Sequence, residues 1–332
     1  MSVDKAYIVL LNYNGWIDTI ECLESVLKSD YLKYQIIVVD NNSTNDSMKN
    51  ILAWAEGKQD VLYKDSQLEH LSQPVLAKPL EYVYYDNYES ISDEEIEQEK
   101  SLSNPIIFIQ SDLNGGFSSG NNLGIRYALM KNDFDYIWLL NNDTVIKRDS
   151  LSQLVRYATT HEVGITGSAL FYYSNPTKIQ TYGGYIDKFL GTGKHIIDKG
   201  NLNKLEYIIG ASLLIDKKVI EKIGLLPEEY FLYYEDTDFC YTASKQGFTL
   251  ATAVDSVVYH KEGGSTGTSN SISQKSAFAD YHSFKSRKIF QKKHFPNMYG
   301  LIYLQLVIYV VHRLLFGKFE NAASLIKAFR DN

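Results

Sequence analysis

Four polar clusters in this chain stand where chemistry can be done. The run Tyr136-Ile137-Trp138-Leu139-Leu140 is short, apolar and aromatic, and it breaks into Asn141-Asn142-Asp143-Thr144. That is how a buried parallel strand delivers a carboxylate to a ligand crevice. Read alone, Asn-Asn-Asp suits a simple turn equally well. Its weight comes from three companions: Asn12-Tyr13-Asn14 and Asp40-Asn41-Asn42-Ser43, each ending an apolar run, and Glu235-Asp236-Thr237-Asp238, which follows the aromatic stretch Tyr230–Tyr234.

Each cluster implies a particular chemistry. Asp143 suits Mg2+ or Mn2+, hard cations commonly held by one or two carboxylates while a substrate's phosphates supply further oxygens. Asn141 occupies the place where a second carboxylate would help, so the ion is expected to bind weakly without nucleotide. His260, after the strand-like Ser256–Tyr259, is either a further ligand or a structural histidine. Three carboxylates at a helix start exceed what capping readily explains. Crowded beside aromatic rings they raise one another's pKa, which makes Asp236 the candidate base for a hydroxyl proton, with Glu235 and Asp238 as orienters or acceptor-sugar contacts. Asp40 ends Ile36-Ile37-Val38-Val39 and either accepts an imide N–H from a uracil or thymine ring or caps the helix starting near Asp46. The segment Asn114-Gly115-Gly116-Phe117-Ser118-Ser119-Gly120-Asn121-Asn122-Leu123-Gly124 lets backbone N–H groups approach an anionic ligand, or lets Gly116, Gly120 and Gly124 pack tightly; Asn121 is the expected contact. It is not the G-x-G-x-x-G dinucleotide fingerprint, which disfavours a nicotinamide cofactor.

The elements that must position these residues follow from the pattern. Up to about Leu170, strands near Ala6–Leu11, Gln35–Asp40, Ile106–Ile109 and Tyr136–Leu140 alternate with helices near Trp16–Lys28, Asp46–Glu56, Ser118–Lys131 and Ser150–Thr160. That order predicts right-handed βαβ units, a mostly parallel sheet with helices on both faces, and ligands at the strands' carboxyl ends. Residues 57–105 break the regularity and read as a solvated acidic insertion with a short hairpin at Tyr82–Tyr85, lying away from the chemistry. After Gly164 the pattern turns to strands (Gly164–Phe171, Tyr207–Leu214, Thr249–Ala253, Ser256–His260), an antiparallel acceptor half interrupted by helices at Asp216–Ile223 and Glu235–Gln246. A catalytic domain over 1–270, with its first ligand-binding half at 1–145 and the second substrate's half at 146–270, would then precede a helical tail over 271–332. In that tail Leu301–Phe316 is apolar but shorter than the roughly 20 residues a membrane span needs. It reads either as an interfacial helix helped by nearby Lys and Arg, or as a helix packed on the domain's own surface.

Bulk properties narrow the class. The chain has 332 residues, is 45% hydrophobic and 22% charged, and carries a formal charge of -7. This is globular composition, and no basic stripe spans the first three quarters of the chain to suggest a nucleic-acid partner, the basic stretch Lys285–Lys293 lying beside the apolar tail. Cys22 and Cys240 lie far apart without metal-ligand spacing, and Ala6–Leu11 is too short for a signal peptide's apolar region, so a cytoplasmic location is expected, with possible contact at the inner membrane face.

Taken together, LNYNG at Leu11–Gly15, VVDNNSTND at Val38–Asp46, NGGFSSGNNLG at Asn114–Gly124, LLNNDT at Leu139–Thr144, YFLYYEDTDFCYTASKQGF at Tyr230–Phe248 and YHKEGGST at Tyr259–Thr266 resemble the motifs of family 2 glycosyltransferases of the GT-A fold. The resemblance is to the rhamnosyltransferase-like branch that builds bacterial surface polysaccharides. It implies inverting, metal-assisted transfer of rhamnose or another hexose from a UDP- or dTDP-sugar to a glycan or lipid-linked glycan. Nucleotide-sugar contacts would come from Asn12, Tyr13, Asn14, Asp40, Asn42, Asn114, Gly116, Asn121 and Asn142. Asp143 and His260 would hold Mg2+ or Mn2+, and Asp236 would deprotonate the acceptor beside Glu235 and Asp238. Two positions depart from the family's pattern: Asn141 where the metal motif often begins with Asp, and Tyr241 or Thr242 where the following helix usually has Arg. Of the rival readings, a sugar-1-phosphate nucleotidyltransferase would need a basic, Gly-rich loop after the first strand, which Asn12-Tyr13-Asn14-Gly15-Trp16 lacks. A non-catalytic nucleotide-sugar binding subunit is disfavoured by intact Asp143 and Asp236.

Overall fold

The computed structural model describes residues 4–63, 67–86, 91–261 and 275–331. Five strands carry the first half: β1 (Ala6–Asn12), β2 (Tyr34–Asp40), β3 (Tyr82–Tyr85), β4 (Ile106–Gln110) and β5 (Tyr136–Asn141). They lie parallel in the order β3-β4-β2-β1-β5. Their side chains alternate between two cores because successive residues on a strand face opposite sides. Ile8 and Leu10 of β1 and Val38 of β2 belong to one core with α1 (Trp16–Val26), α2 (Ser47–Ala55) and, further along the same face, α6 (Ser150–His161). Val9, Ile37 and Leu139 face the other way, toward α5 (Gly116–Lys131), α7 (Lys217–Ile223) and α8 (Glu235–Lys245). The result is a sheet buried on both faces between helical layers, and β1 and β5 straddle the point where strand order reverses, so the crevice at their carboxyl ends is open to a ligand.

The second half extends the same sheet. β11 (Ser212–Asp216) runs antiparallel to β5 and to β7 (Ile165–Tyr172), which also pairs with β8 (Asn175–Thr181); β12 (Leu250–His260) follows, then β6 (Thr144–Ile146) at the edge. A separate hairpin joins β9 (Gly184–Asp187) to β10 (Thr192–His195).

Three local expectations are corrected. Tyr82–Tyr85 is not a hairpin in a solvated insertion but a single edge strand parallel to β4. The same stretch holds the one-turn α3 (Glu69–Ser72) and α4 (Asp93–Lys100); Val83 and Tyr85 point inward, and Tyr85 and Tyr127 both donate to Glu99 of α4 at 2.7 Å. The two strands expected at 249–260 are one, with a register shift between Ala253 and Val257. β11 begins five residues later than the apolar run suggests, because Tyr207 bridges Gly184 and the Gly210 backbone turns toward the acidic cluster.

The tail folds as three helices, α9 (Ala277–His294), α10 (Leu301–Leu315) and α11 (Phe319–Arg330), around Phe284, Ile302, Leu325 and Ala328. Arg313 of α10 grips Asp280 of α9 with two bonds of 2.7 Å, and Asn321 of α11 donates to the same carboxylate at 2.7 Å. The expected boundary near 270 lies outside the described residues.

Candidate active site

A cavity of about 540 Å³ opens at the strand tips. Its floor is assembled by one residue: Asn12, fully buried at the end of β1, accepts from Thr19 at 2.9 Å, Gly15 at 3.2 Å and Asn142 at 3.3 Å, and donates to Asp40 at 2.5 Å. Asn142 also donates to Thr19 at 2.8 Å. The tips of β1 and β2, the first turn of α1 and the β5–β6 turn are thereby locked together, and the β5–β6 turn carries Asp143.

Asp143 faces His260, with Oδ1 3.2 Å from Nε2. The two meet because β12 pairs antiparallel with β6, setting His260 opposite Thr144. Gln180 Oε1 lies 3.1 Å from Nδ1, so that nitrogen donates to it, while Nε2 faces Asp143 with Asn141 Nδ2 at 3.4 Å; an Nδ1 bond of this kind orients a metal-binding imidazole. Burial alone would raise the Asp143 pKa, but the neighbouring His260 and Lys261 outweigh it and hold the carboxyl below its ordinary value. Lys261 is anchored in turn by α1, donating to Asp18 at 2.6 Å and Glu21 at 2.5 Å. Among the described residues no third His, Cys, Asp or Glu joins this pair. Two donors, one a carboxylate and one an imidazole, fit a cation that draws its remaining oxygens from phosphates and water. The Glu262–Thr266 part of the YHKEGGST motif lies outside the described residues.

The acidic cluster starts α8 on the same cavity. Asp236 Oδ2 accepts from Gly210 N at 2.9 Å, and Oδ1 from Thr237 N at 2.6 Å. Burial raises its pKa despite those bonds and the nearby His195. Glu235 is raised well above an ordinary glutamate, first by burial and then by the charge of Asp236, and its Oε2 has no hydrogen-bond partner. Two adjoining carboxyl groups, one held by backbone N–H groups and one with an unpartnered oxygen, form an arrangement that can orient a hydroxyl and take its proton.

The cavity brings together Tyr13, Asn114, Gly116, Asn142, Asp143, Glu235, Asp236 and His260 of the expected residues. Gly116 is there for its backbone: at φ +85° an added Cβ would collide with the Phe231 carbonyl. Six expected contacts do not line it. Asn12 is the buried hub described above. Asp40, expected to read the base, is buried and gives both oxygens to Asn12, Ser43 and Gln110. Asn14 is engaged with Ser43 and Thr44, Asn42 donates to the Asp112 carbonyl, and Asn121 donates to the Phe117 carbonyl at 2.9 Å inside its own helix. Asp238 is the clearest departure. Two residues past Asp236, about 200° round the helix, it faces the opposite side of α8; its carboxylate takes Tyr230 and Lys293 at 2.7 Å on Oδ2 and His294 at 2.7 Å on Oδ1, so it fastens the tail to α8. Sequence reasoning missed Gln180, His195, Gly210 and Phe278, which line the cavity from β8, β10, the loop before β11 and the first turn of α9. Only Gly210 carried a local signal, as a glycine interrupting an apolar run.

The geometry can be set beside known proteins. The model for "Glycosyltransferase like family 2" matches residues 83–283, and that for "Glycosyl transferase family 2" matches residues 7–70. The chain is 30% identical over 174 residues to the low-salt glycan biosynthesis hexosyltransferase of Haloferax volcanii, covering 51% of this chain and 55% of the relative. It is 26% identical over 149 residues to the rhamnosyltransferase WbbL of Escherichia coli, covering 41% and 56%. The chain thus spans about half the length of the curated relatives it matches. Among solved structures it is similar to the mannosyltransferase PcManGT of Pyrobaculum calidifontis, in complex with GDP-Man and Mn2+, with a TM-score of 0.55 at 12% identity over 99% of this chain and 75% of that one. It is also similar to S. aureus TarS in complex with UDP-GlcNAc, with a TM-score of 0.50 at 13% identity over 86% and 66%. The fold is GT-A, as the motifs implied.

Proposed function

This chain belongs to glycosyltransferase family 2, and on that premise we propose that it moves rhamnose or another hexose from a UDP- or dTDP-sugar to a hydroxyl of a glycan or lipid-linked glycan, with inversion. The observation that carries the reading is that the Asp143–His260 pair and the Glu235–Asp236 pair line one cavity. Asp143 and His260 would hold Mg2+ or Mn2+, as the Mn2+ complex of the similar mannosyltransferase supports. When bound, such an ion offsets the charge that builds on the departing diphosphate. Tyr13, Asn114 and Asn142 line the donor end, and the Asn12 hub with Asp40 beneath it keeps the strand tips in register.

Asp236 takes the acceptor proton. Its carboxylate is held by Gly210 and Thr237, with lone pairs remaining for an incoming hydroxyl. Glu235, buried on the same cavity wall with its Oε2 unpartnered, orients the acceptor hydroxyl toward Asp236. Attack on the face opposite the diphosphate, through an oxocarbenium-like state, inverts the anomeric carbon. Cys22 and Cys240 are both buried free thiols, which suits work in a reducing cytoplasm. The test is Asp236→Asn. Transfer is expected to fall about a hundredfold to ten-thousandfold while donor affinity by calorimetry stays within a few fold. Retained transfer with lost donor binding would refute the assignment.

A further inference from the structure

We propose that the outer face of the α10–α11 hairpin rests on an anionic lipid surface. α10 is packed by Ile302, Gln305 and Arg313 against its neighbours. The opposite stripe, Leu304, Val307, Ile308, Val311 and Leu315, recurs at helical spacing with no charge in it, and each of these side chains is exposed. Leu315 is 79% exposed, and Phe316 and Phe319 carry the same surface round the hairpin tip onto α11 at 63% and 70%. A continuous bare apolar stripe of this kind is a docking surface and not ordinary scatter.

Charge identifies the occupant. Residues 275–331 hold ten Lys and Arg against three Asp and Glu, while residues 1–274 hold 23 against 37. A chain of net charge -7 therefore concentrates its positive charge in the unit that bears the apolar stripe. Arg313 and Lys293 are engaged in ion pairs, but Lys292, Lys327 and Arg330 are exposed. A second copy on this face would bring two cationic tails together, whereas anionic headgroups complement them. No helix among the described residues is long and apolar enough to cross a membrane. At 15 residues α10 is about 22 Å long, short of the roughly 30 Å hydrocarbon core, so it lies along the surface. The docked unit also contains Phe278 of the cavity wall and the Lys293 and His294 clasp on α8, so docking holds the cavity at a set attitude to the bilayer. The inference stands on the tail's surface and is independent of the transfer chemistry.

The test is flotation of the full chain with phosphatidylcholine vesicles, and with vesicles to which phosphatidylglycerol is added, at low and high salt. Stronger binding to the anionic vesicles is expected, weakened by salt and reduced at least about tenfold by Ile308→Glu with Val311→Glu. Both positions are exposed, so an unchanged melting temperature certifies the fold of that variant. A Lys327→Glu, Arg330→Glu variant should lose the preference for anionic over neutral vesicles. Equal binding to both vesicle types, binding indifferent to these substitutions, no binding, or a concentration-dependent dimer that replaces binding would each overturn the proposal.

Discussion

The residue scale is governed by which carboxylates are given partners. Asp143 and Asp40 are both buried acids at strand tips, yet Asp40 is saturated by Asn12, Ser43 and Gln110 while Asp143 keeps its face toward the cavity opposite an imidazole. Glu235 lies at the other extreme, buried, beside a second acid and with an unpartnered oxygen. Its raised pKa means the folded state binds its proton more tightly than the unfolded chain. Stability is therefore lost as pH rises from the ordinary glutamate value through the raised one. Glu235→Gln is expected to melt higher than the parent at neutral pH, by about 2 °C per kcal/mol relieved, with the difference vanishing in acid below about pH 4. The same variant should impair transfer. A melting curve no higher than the parent's at pH 7 would show that burial does not raise the Glu235 pKa. The types of these acids were legible in the sequence, but their partners were not, since Gln110 and Gln180 come from distant strands.

At the scale of elements, the acidic cluster is placed by a strained turn and a clamp. Tyr233 and Tyr234 hold φ of 68° and 71°, a left-handed conformation that costs about 1–3 kcal/mol per residue outside glycine. α9 holds it: Ser286 donates to the Leu232 carbonyl at 2.8 Å, and Arg287 to the Tyr234 hydroxyl at 3.2 Å. Asp238 completes the clamp, its pKa lowered to about 2 because His294, Lys293 and Tyr230 together outweigh burial, the largest single influence. A lowered acid stabilises the fold fully above its unfolded value near 4 and loses that contribution as pH falls toward 2. Asp238→Ala should destabilise the protein by roughly 3 kcal/mol at neutral pH by taking the acceptor from buried His294 and Tyr230 and leaving Lys293 only Glu229, with little penalty near pH 2. Denaturant titrations at the two pH values separate this from an acceptor contact, which would leave stability untouched. The helix itself was readable from Tyr230–Phe248, whereas the role of Asp238 turned on which side of α8 the tail occupies.

For the whole molecule, one cavity fed by both halves of the sheet implies linkage between ligand and fold. A ligand that binds only the folded state stabilises it by about 2.7 kcal/mol at a hundred times its Kd. Adding UDP- or dTDP-sugar with Mn2+ should raise the melting temperature by several degrees. Chelator should remove most of the gain, and Asp143→Ala should show little of it even with metal; an equal shift in that variant would take Asp143 out of donor binding. The amino-acid order by itself determined the parallel half of the sheet and the polar strand tips, because inward and outward residues alternate locally and a buried strand must end where its polar residues begin. It also determined the family, through motifs that are each contiguous in the chain. The resemblance joined His260 to Asp143 by analogy alone; the tertiary structure decided their contact, and the meeting of Gly210 with Asp236, in physical terms. Those meetings depend on β12 pairing with β6 and β11 with β5, across 116 and 72 positions of chain in the registers His260↔Thr144 and Ser212↔Leu140. Pairing over such separations is selected by burial of the entire sheet, and no local pattern encodes it.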